Sequence, residues 1–286
     1  MSSTKTALIT GGAKGIGRAI SEELASQGWN LILWGRDEPA LEKAASELES
    51  RHRVGVQIRR ADLSDLSCIP TCFKEMQVQK LLPQALICNS GDYGTLGDLK
   101  DVDIEKWRKS FDLNFFSYAS LAQSYVNLAQ ELDPASRKSL ILMGGSGQGG
   151  AKVWPGISAY SCAKAAIYRL TEVLHEEVHA SLNIDVNCLA PGAIKTGITD
   201  QAIHAGQQVL GGLYQASVSV VQSGGDSPAL VSQCVARLLS DACSGISGRL
   251  ISAKWDGPYL DHPSELNQDR DLLRLRRIDK DLFVRK

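Results

Sequence analysis

Thr10-Gly11-Gly12-Ala13-Lys14-Gly15-Ile16-Gly17-Arg18-Ala19-Ile20 follows directly on the apolar run at residues 6–10, and its glycines decide how the rest of the chain is read. A chain that leaves a strand for a helix here must turn tightly. Its backbone must come close to a pyrophosphate, and the new helix must pack hard against a sheet. The free N–H groups and the dipole of that helix start then face an anion. Gly11, Lys14, Gly15, Ile16 and Gly17 are therefore candidate contacts of a dinucleotide. Glycine also serves ordinary loops, so the turn carries weight only if the surrounding chain alternates between strand and helix.

It does. Short apolar runs at 6–10, 30–34, 54–59, 85–89, 139–143, 184–189 and 249–253 read as strands. Most are continuous rather than alternating, as strands covered on both faces should be. Helical periods lie between them at 16–27, 40–50, 66–79, 104–130, 158–181 and 228–240. Asp37-Glu38-Pro39 and Asp226-Ser227-Pro228 have the cap-then-proline pattern of helix starts. The expected fold is α/β: a doubly wound parallel sheet of seven strands with helices on both faces, in one domain over residues 1–255. Residues 193–225, rich in Gly, Ser, Gln and Ala without a firm period, suit a substrate lid. Residues 256–286 form a charged extension for which docking, subunit contact and disorder all remain open.

The composition removes several classes of function. Lys plus Arg number 31 against 32 Asp plus Glu, so nothing draws the chain to nucleic acid or an anionic membrane. No apolar run approaches the roughly 20 residues of a spanning helix. The N-terminal apolar stretch is too short for a signal-peptide core. The seven cysteines include no Cys-x-x-Cys pair, which favours reduced thiols and a cytoplasmic protein.

Tyr160 and Lys164 carry the chemistry. Their i, i+4 spacing sets them on one helix face. A free phenol has a pKa near 10, and a neighbouring ammonium favours its anion. Such a pair can exchange a proton with an alcohol. Ser146, in a glycine-rich loop after the fifth strand, can hydrogen-bond a substrate oxygen.

The spacing Thr-Gly-x-x-x-Gly-x-Gly resembles the short-chain dehydrogenase/reductase family in its compact single-domain branch, and the later motifs occur in that family's order. The resemblance implies Asp62 and Leu63 at the adenine, and Asn89 and Gly91 in the turn after the fourth strand. It implies Pro191, Gly192, Ile194 and Thr196 near the nicotinamide and phosphates. Asn114 would hold a water of the proton relay, and Ser146, Tyr160 and Lys164 would complete the catalytic set. Tyr160 and Lys164 would also touch the nicotinamide ribose, Lys164 lowering the tyrosine pKa. Cys88 and Ser90 depart from the family's Asn-Asn-Ala-Gly, and Ser146 stands fourteen rather than thirteen residues before Tyr160.

A carboxylate at the end of the second strand would bind the ribose 2′-hydroxyl of NAD. Gly35 takes that position here, and Arg36 with Lys14 could clamp a 2′-phosphate. NADP(H) is therefore the expected cofactor, with NAD(H) possible and Asp37 assigned to a helix cap. The expected activity interconverts a small-molecule carbonyl and a secondary alcohol. The substrate could be a ketone, a keto-sugar or a keto-acyl compound, with Trp154 lining the pocket. The resemblance further implies a homodimer or homotetramer. Two other readings stay open: a non-catalytic NADP(H) sensor or scaffold, and a zinc metalloprotease through His175-Glu176-x-x-His179. No third ligand motif follows that pair, so no metal is expected.

Overall fold

The computed structural model describes residues 5–145 and 153–275. Among these residues, seven strands form one sheet in the order β3-β2-β1-β4-β5-β6-β7. They are β1 Thr6–Thr10, β2 Asn30–Gly35, β3 Val56–Arg60, β4 Ala85–Cys88, β5 Lys138–Met143, β6 Ile184–Ala190 and β7 Arg249–Ser252. Every neighbouring pair is parallel. Strand order reverses between β1 and β4, which opens a crevice at their carboxyl ends. The apolar runs explain this arrangement: β4 and β5 are buried along their whole length. Helices α1 (Gly15–Ser26), α2 (Glu38–His52) and α9 (Pro228–Leu239) pack together, and α3 (Cys68–Val78), α5 (Ser117–Ala129) and α6 (Ser158–Leu182) form a second group.

Three regions differ from the reading of the sequence. The helix expected over 104–130 is broken into α4 (Ile104–Phe111), a π turn (Asp112–Phe116) and α5. The cause lies at Asn114, whose Nδ2 donates both to Ser110 O in the preceding turn at 2.9 Å and to Asp92 O at 2.8 Å. A single π turn lets one side chain leave the regular spacing for a distant partner.

The stretch without a clear period is helical as well, as α7 (Gly197–Ala205) and α8 (Gln207–Ser223). A reciprocal cap between Thr196 and Thr199 starts α7. Gly206 at φ 85° separates the helices, and Gly211 at φ 46° kinks α8. Ala202, Leu210 and Leu213 bury against Tyr93 and Tyr160, partners that a local window cannot see.

The described part of the extension, residues 256–275, docks on its own domain. Helices α10 (Gly257–Asp261) and α11 (Pro263–Gln268) bury Leu260 and Leu266. Arg249 of β7 then fastens the segment, donating to Leu266 O at 3.0 Å, to Asp269 O at 2.8 Å and to Leu272 O. Leu250 N donates to Leu273 O at 2.8 Å, so the tail takes up a backbone donor of the edge strand.

Candidate active site

The glycine turn lies in the crevice, and its geometry requires glycine. A Cβ on Gly17 would run into the carbonyl of Gly11, and Gly15 has φ 53°. Helix α1 has no side-chain cap and no acidic residue in its first turn, so its N-terminal donors suit an anion. Asn89 Nδ2 donates to Thr10 O at 3.0 Å, while Thr10 Oγ1 accepts from Asn89 N at 2.8 Å and Ser90 N at 3.1 Å. The β1 and β4 turns are therefore joined despite the departures at Cys88 and Ser90.

A cleft of about 420 Å³ runs from this turn along the strand ends. It is lined by Gly11, Lys14, Gly15, Ile16, Arg36, Asp62, Leu63, Asn89, Gly91 and Thr196, ten of the positions singled out in the sequence. Gly17 stands behind it, pressed on Gly11. Asp62 accepts from Ser64 N at 3.0 Å and Ser64 Oγ at 2.7 Å. Burial opposes its charge, but those bonds with Arg36 and Arg60 hold its carboxyl below the usual range. Lys14 makes a short ion pair with Asp37, which also caps α2 through Ala40 N at 3.1 Å. The lysine expected to clamp a phosphate together with Arg36 is thus engaged by the acid that follows Arg36. The cradle, the uncapped helix start and the cleft fit a dinucleotide.

A second cavity, of about 760 Å³, shares Ile16, Thr196 and Ile198 with the first. Pro191, Gly192, Ile194 and Tyr160 line it. Gly192 has φ 88° and lies against Asp226, whose carboxylate accepts from Ala193 N at 2.9 Å and pairs with Lys254 at 2.7 Å. Ser227, rather than Asp226, caps α9, through Ala229 N at 3.2 Å. The carboxylate before it is taken up by the Pro191-Gly192 turn.

Tyr160 and Lys164 lie buried on one face of α6, with Tyr160 on the wall of the second cavity. The Tyr160 hydroxyl rests against Gly145, where a Cβ would collide with it. Lys164 Nζ donates to Met143 O at 3.0 Å and to Tyr118 Oη at 3.2 Å, and lies 5.7 Å from the Tyr160 ring centre. Burial pulls its pKa down to about 8. The expected depression of the tyrosine pKa is not found. Burial first, then Tyr93 and Asp92, push the Tyr160 phenol up, while the amine donates to Tyr118 and Met143. Asn114 Oδ1 is buried without a hydrogen-bond partner among the described residues. A Cβ on Gly91 would lie 2.8 Å from it and 3.6 Å from Lys164 Nζ, so acceptor and amine flank the same spot. Ser146 lies outside the described residues.

Two site residues were not anticipated. Tyr93 stands edge-on to Tyr160, with ring centres 5.0 Å apart at 80°. Tyr118 receives Lys164. Tyr118 follows Asn114 by one helical turn, a spacing that could have revealed it. Tyr93 lies two residues past Gly91 in a loop, with no such signal. His175 and His179, the pair of the metalloprotease pattern, contact their own domain: His175 Nδ1 is 2.8 Å from Ser247 Oγ, and His179 Nδ1 is 3.2 Å from Asp185. Among the described residues no group of three or more His, Cys, Asp or Glu side chains is placed to hold a metal.

Residues 5–206 match the short chain dehydrogenase family, and the chain belongs to it. The protein is an oxidoreductase of that family, as its named relatives are. It is 28% identical over 253 residues to the 3-oxoacyl-(acyl-carrier-protein) reductase of Chlamydia trachomatis serovar D, which spans 87% of this chain and 95% of that one. An uncharacterized oxidoreductase of Schizosaccharomyces pombe is 26% identical over 195 residues, 68% of this chain and 62% of the relative's length. Among solved structures, YwfH, an NADPH dependent reductase involved in bacilysin biosynthesis, shares the fold. Its TM-score is 0.76 at 24% identity, over 88% of this chain and 97% of that one. No described helix is long and apolar enough to cross a membrane.

Proposed function

We propose that the protein reduces a ketone to a secondary alcohol with NADPH, Tyr160 serving as the general acid. The observation that carries the reading is the Tyr160–Lys164 face of α6, on which Tyr160 lines the second cavity while Lys164 Nζ comes within 3.6 Å of the Cβ position of Gly91 in the dinucleotide cleft. Bound NADPH supplies the hydride that reaches the carbonyl carbon. Tyr160 gives its proton to the carbonyl oxygen, and its raised pKa keeps the phenol protonated at neutral pH, as a general acid requires. Lys164 holds the cofactor ribose, while Asn114 Oδ1 orders water that returns the proton. Ser146 orients the carbonyl oxygen. Gly11, Gly15, Ile16 and Gly17 cradle the pyrophosphate, Asp62 and Leu63 hold the adenine, and Ile194 and Thr196 hold the nicotinamide end.

NADPH is the preferred cofactor in this reading. Arg36 lines the cleft beside Asp62, while Asp37 is already paired with Lys14. The assembly is a homodimer or homotetramer through α4–α5 and α6, where stacked Trp107 and Phe111 lead to exposed Phe116. A cytoplasmic setting accords with seven free cysteines.

The test is a carbonyl panel followed by NADPH and NADH absorbance. Tyr160→Phe should lower kcat by roughly 10²–10⁴-fold while NADPH still binds. Arg36→Ala should cost about ten-fold or more in kcat/KM for NADPH and little for NADH. Near-normal turnover by Tyr160→Phe would refute the acid assignment, and equal use of NADH by the wild type would refute the cofactor preference.

A further inference from the structure

The second cavity does not end at the catalytic tyrosine. Its walls also include Tyr168 of α6, Leu250 of the edge strand, and Leu273 and Arg274 of the C-terminal tail. Tyr160 and Tyr168 are two helical turns apart, a span of ~12 Å. Between them the walls are mainly apolar, with Val220 of α8 facing the Leu250 side. Among the described residues, the charged ones on its walls are Asp256 and Arg274. Asp256 is turned to the backbone, accepting from Ser252 N at 2.7 Å, and burial pushes its carboxyl up.

Arg274 is different. Its side chain is 13% exposed, and it forms an ion pair at 3.5 Å with Glu176, a carboxylate itself 73% exposed. Its Nε is buried with no hydrogen-bond partner among the described residues. A guanidinium offers five donors in a fork that matches a carboxylate. Arg274 lines the cavity, and because its Nε is shut away from solvent, a ligand there would meet the terminal Nη groups, one of which reaches the exposed Glu176. The backbone around it is fixed: Leu273 O accepts from Leu250 N at 2.8 Å, and Leu275 N donates to Glu172 Oε1 at 2.6 Å. An arginine held between two such anchors is set in place before any ligand arrives.

We propose that this groove binds an elongated aliphatic oxo-acid, with its ketone at Tyr160, its hydrocarbon along Tyr168 and Leu250, and its carboxylate on Arg274. The span corresponds to a chain on the order of ten C–C bonds. The inference rests on the reductase reading and adds the substrate class and a specificity-determining residue supplied by the tail.

The test compares 11-oxododecanoate with its methyl ester as substrates with NADPH. It also measures calorimetric binding of dodecanoate, which has no ketone, in the presence of NADP+. Wild type should prefer the acid over the ester by about ten-fold or more in kcat/KM. Arg274→Gln should erase that preference and weaken dodecanoate binding by a similar factor, and Arg274→Lys should restore part of both. Leu273→Trp, which fills the groove without changing its charge, should weaken acid and ester alike. Equal use of acid and ester by the wild type, or dodecanoate affinity unchanged by Arg274→Gln and Leu273→Trp, would overturn the proposal. If no carbonyl is reduced but dodecanoate binding still depends on Arg274, the reductase reading fails and the groove assignment stands.

Discussion

The dinucleotide cleft and the groove beside it meet at Ile16, Thr196 and Ile198, yet they are assembled differently. The cleft is made of strand ends and the few residues after each: Gly11–Gly17 after β1, Arg36 after β2, Asp62 after β3 and Asn89 after β4. Some of its bonding is local, as between Asp62 and Ser64, and the rest joins neighbouring strand ends, as between Asn89 and Thr10. The groove is walled by side chains from a loop, a kinked helix, the edge strand and the tail, brought together across more than half of the chain. A phosphate is recognised by backbone donors, whose geometry short sequence patterns control. A carbon skeleton is recognised by side-chain surface, which only packing assembles.

Perturbing each region tests how separate they are. The largest effect is expected at Gly17. Gly17→Ala drives a Cβ into Gly11 O and to 2.7 Å from Asn89 Nδ2. It should cost about 2–3 kcal/mol in denaturant titration and abolish NADPH binding measured by fluorescence. Unchanged binding would mean that the turn does not form the cradle.

Arg249→Met should come next. It leaves the carbonyls of Leu266, Asp269 and Leu272 without their guanidinium, at about 2–3 kcal/mol. Limited proteolysis should then cut the tail, while NADPH affinity stays within about two-fold. A large loss of cofactor affinity would show that cleft and tail are one cooperative unit.

The smallest effect lies outside both regions. The Asp185 carboxylate, placed to accept from His179 Nδ1 at 3.2 Å, raises the His179 pKa against the opposing effect of burial. A raised pKa gives stability that is full below the unfolded value of about 6.5 and lost as pH rises through the folded value. His179→Gln should therefore lower Tm more at about pH 5.5 than at about pH 9, by under about 1 kcal/mol. An equal loss at both would show that the imidazole acts by packing alone.

The same division explains how much could be read in advance. Continuous apolar runs reveal strands buried on both faces, and the β boundaries agree with them to within one or two residues. Glycine spacing reveals the turn, and Tyr160 and Lys164 fall on one face because a helix has a fixed period. The π turn at Asn114 could not be read, because it depends on Asp92 O, 22 residues away. Helices α7 and α8 are interrupted by Gly206 and kinked at Gly211, and their apolar residues pack on a separate cluster with Tyr93 and Tyr160. The phenol's upward shift was also hidden: it follows from burial and from the partners that Lys164 chooses, neither of which the spacing records.

The sequence by itself determined the doubly wound sheet, the glycine cradle and the shared helix face of Tyr160 and Lys164, because each follows from periodicity or backbone geometry over a few residues. Only the tertiary structure decided that the charged tail docks on β7, that Tyr118 rather than Tyr160 receives the lysine, and that Arg274 closes a groove. Those outcomes depend on which distant surfaces meet, and burial sets the electrostatics only once they have met.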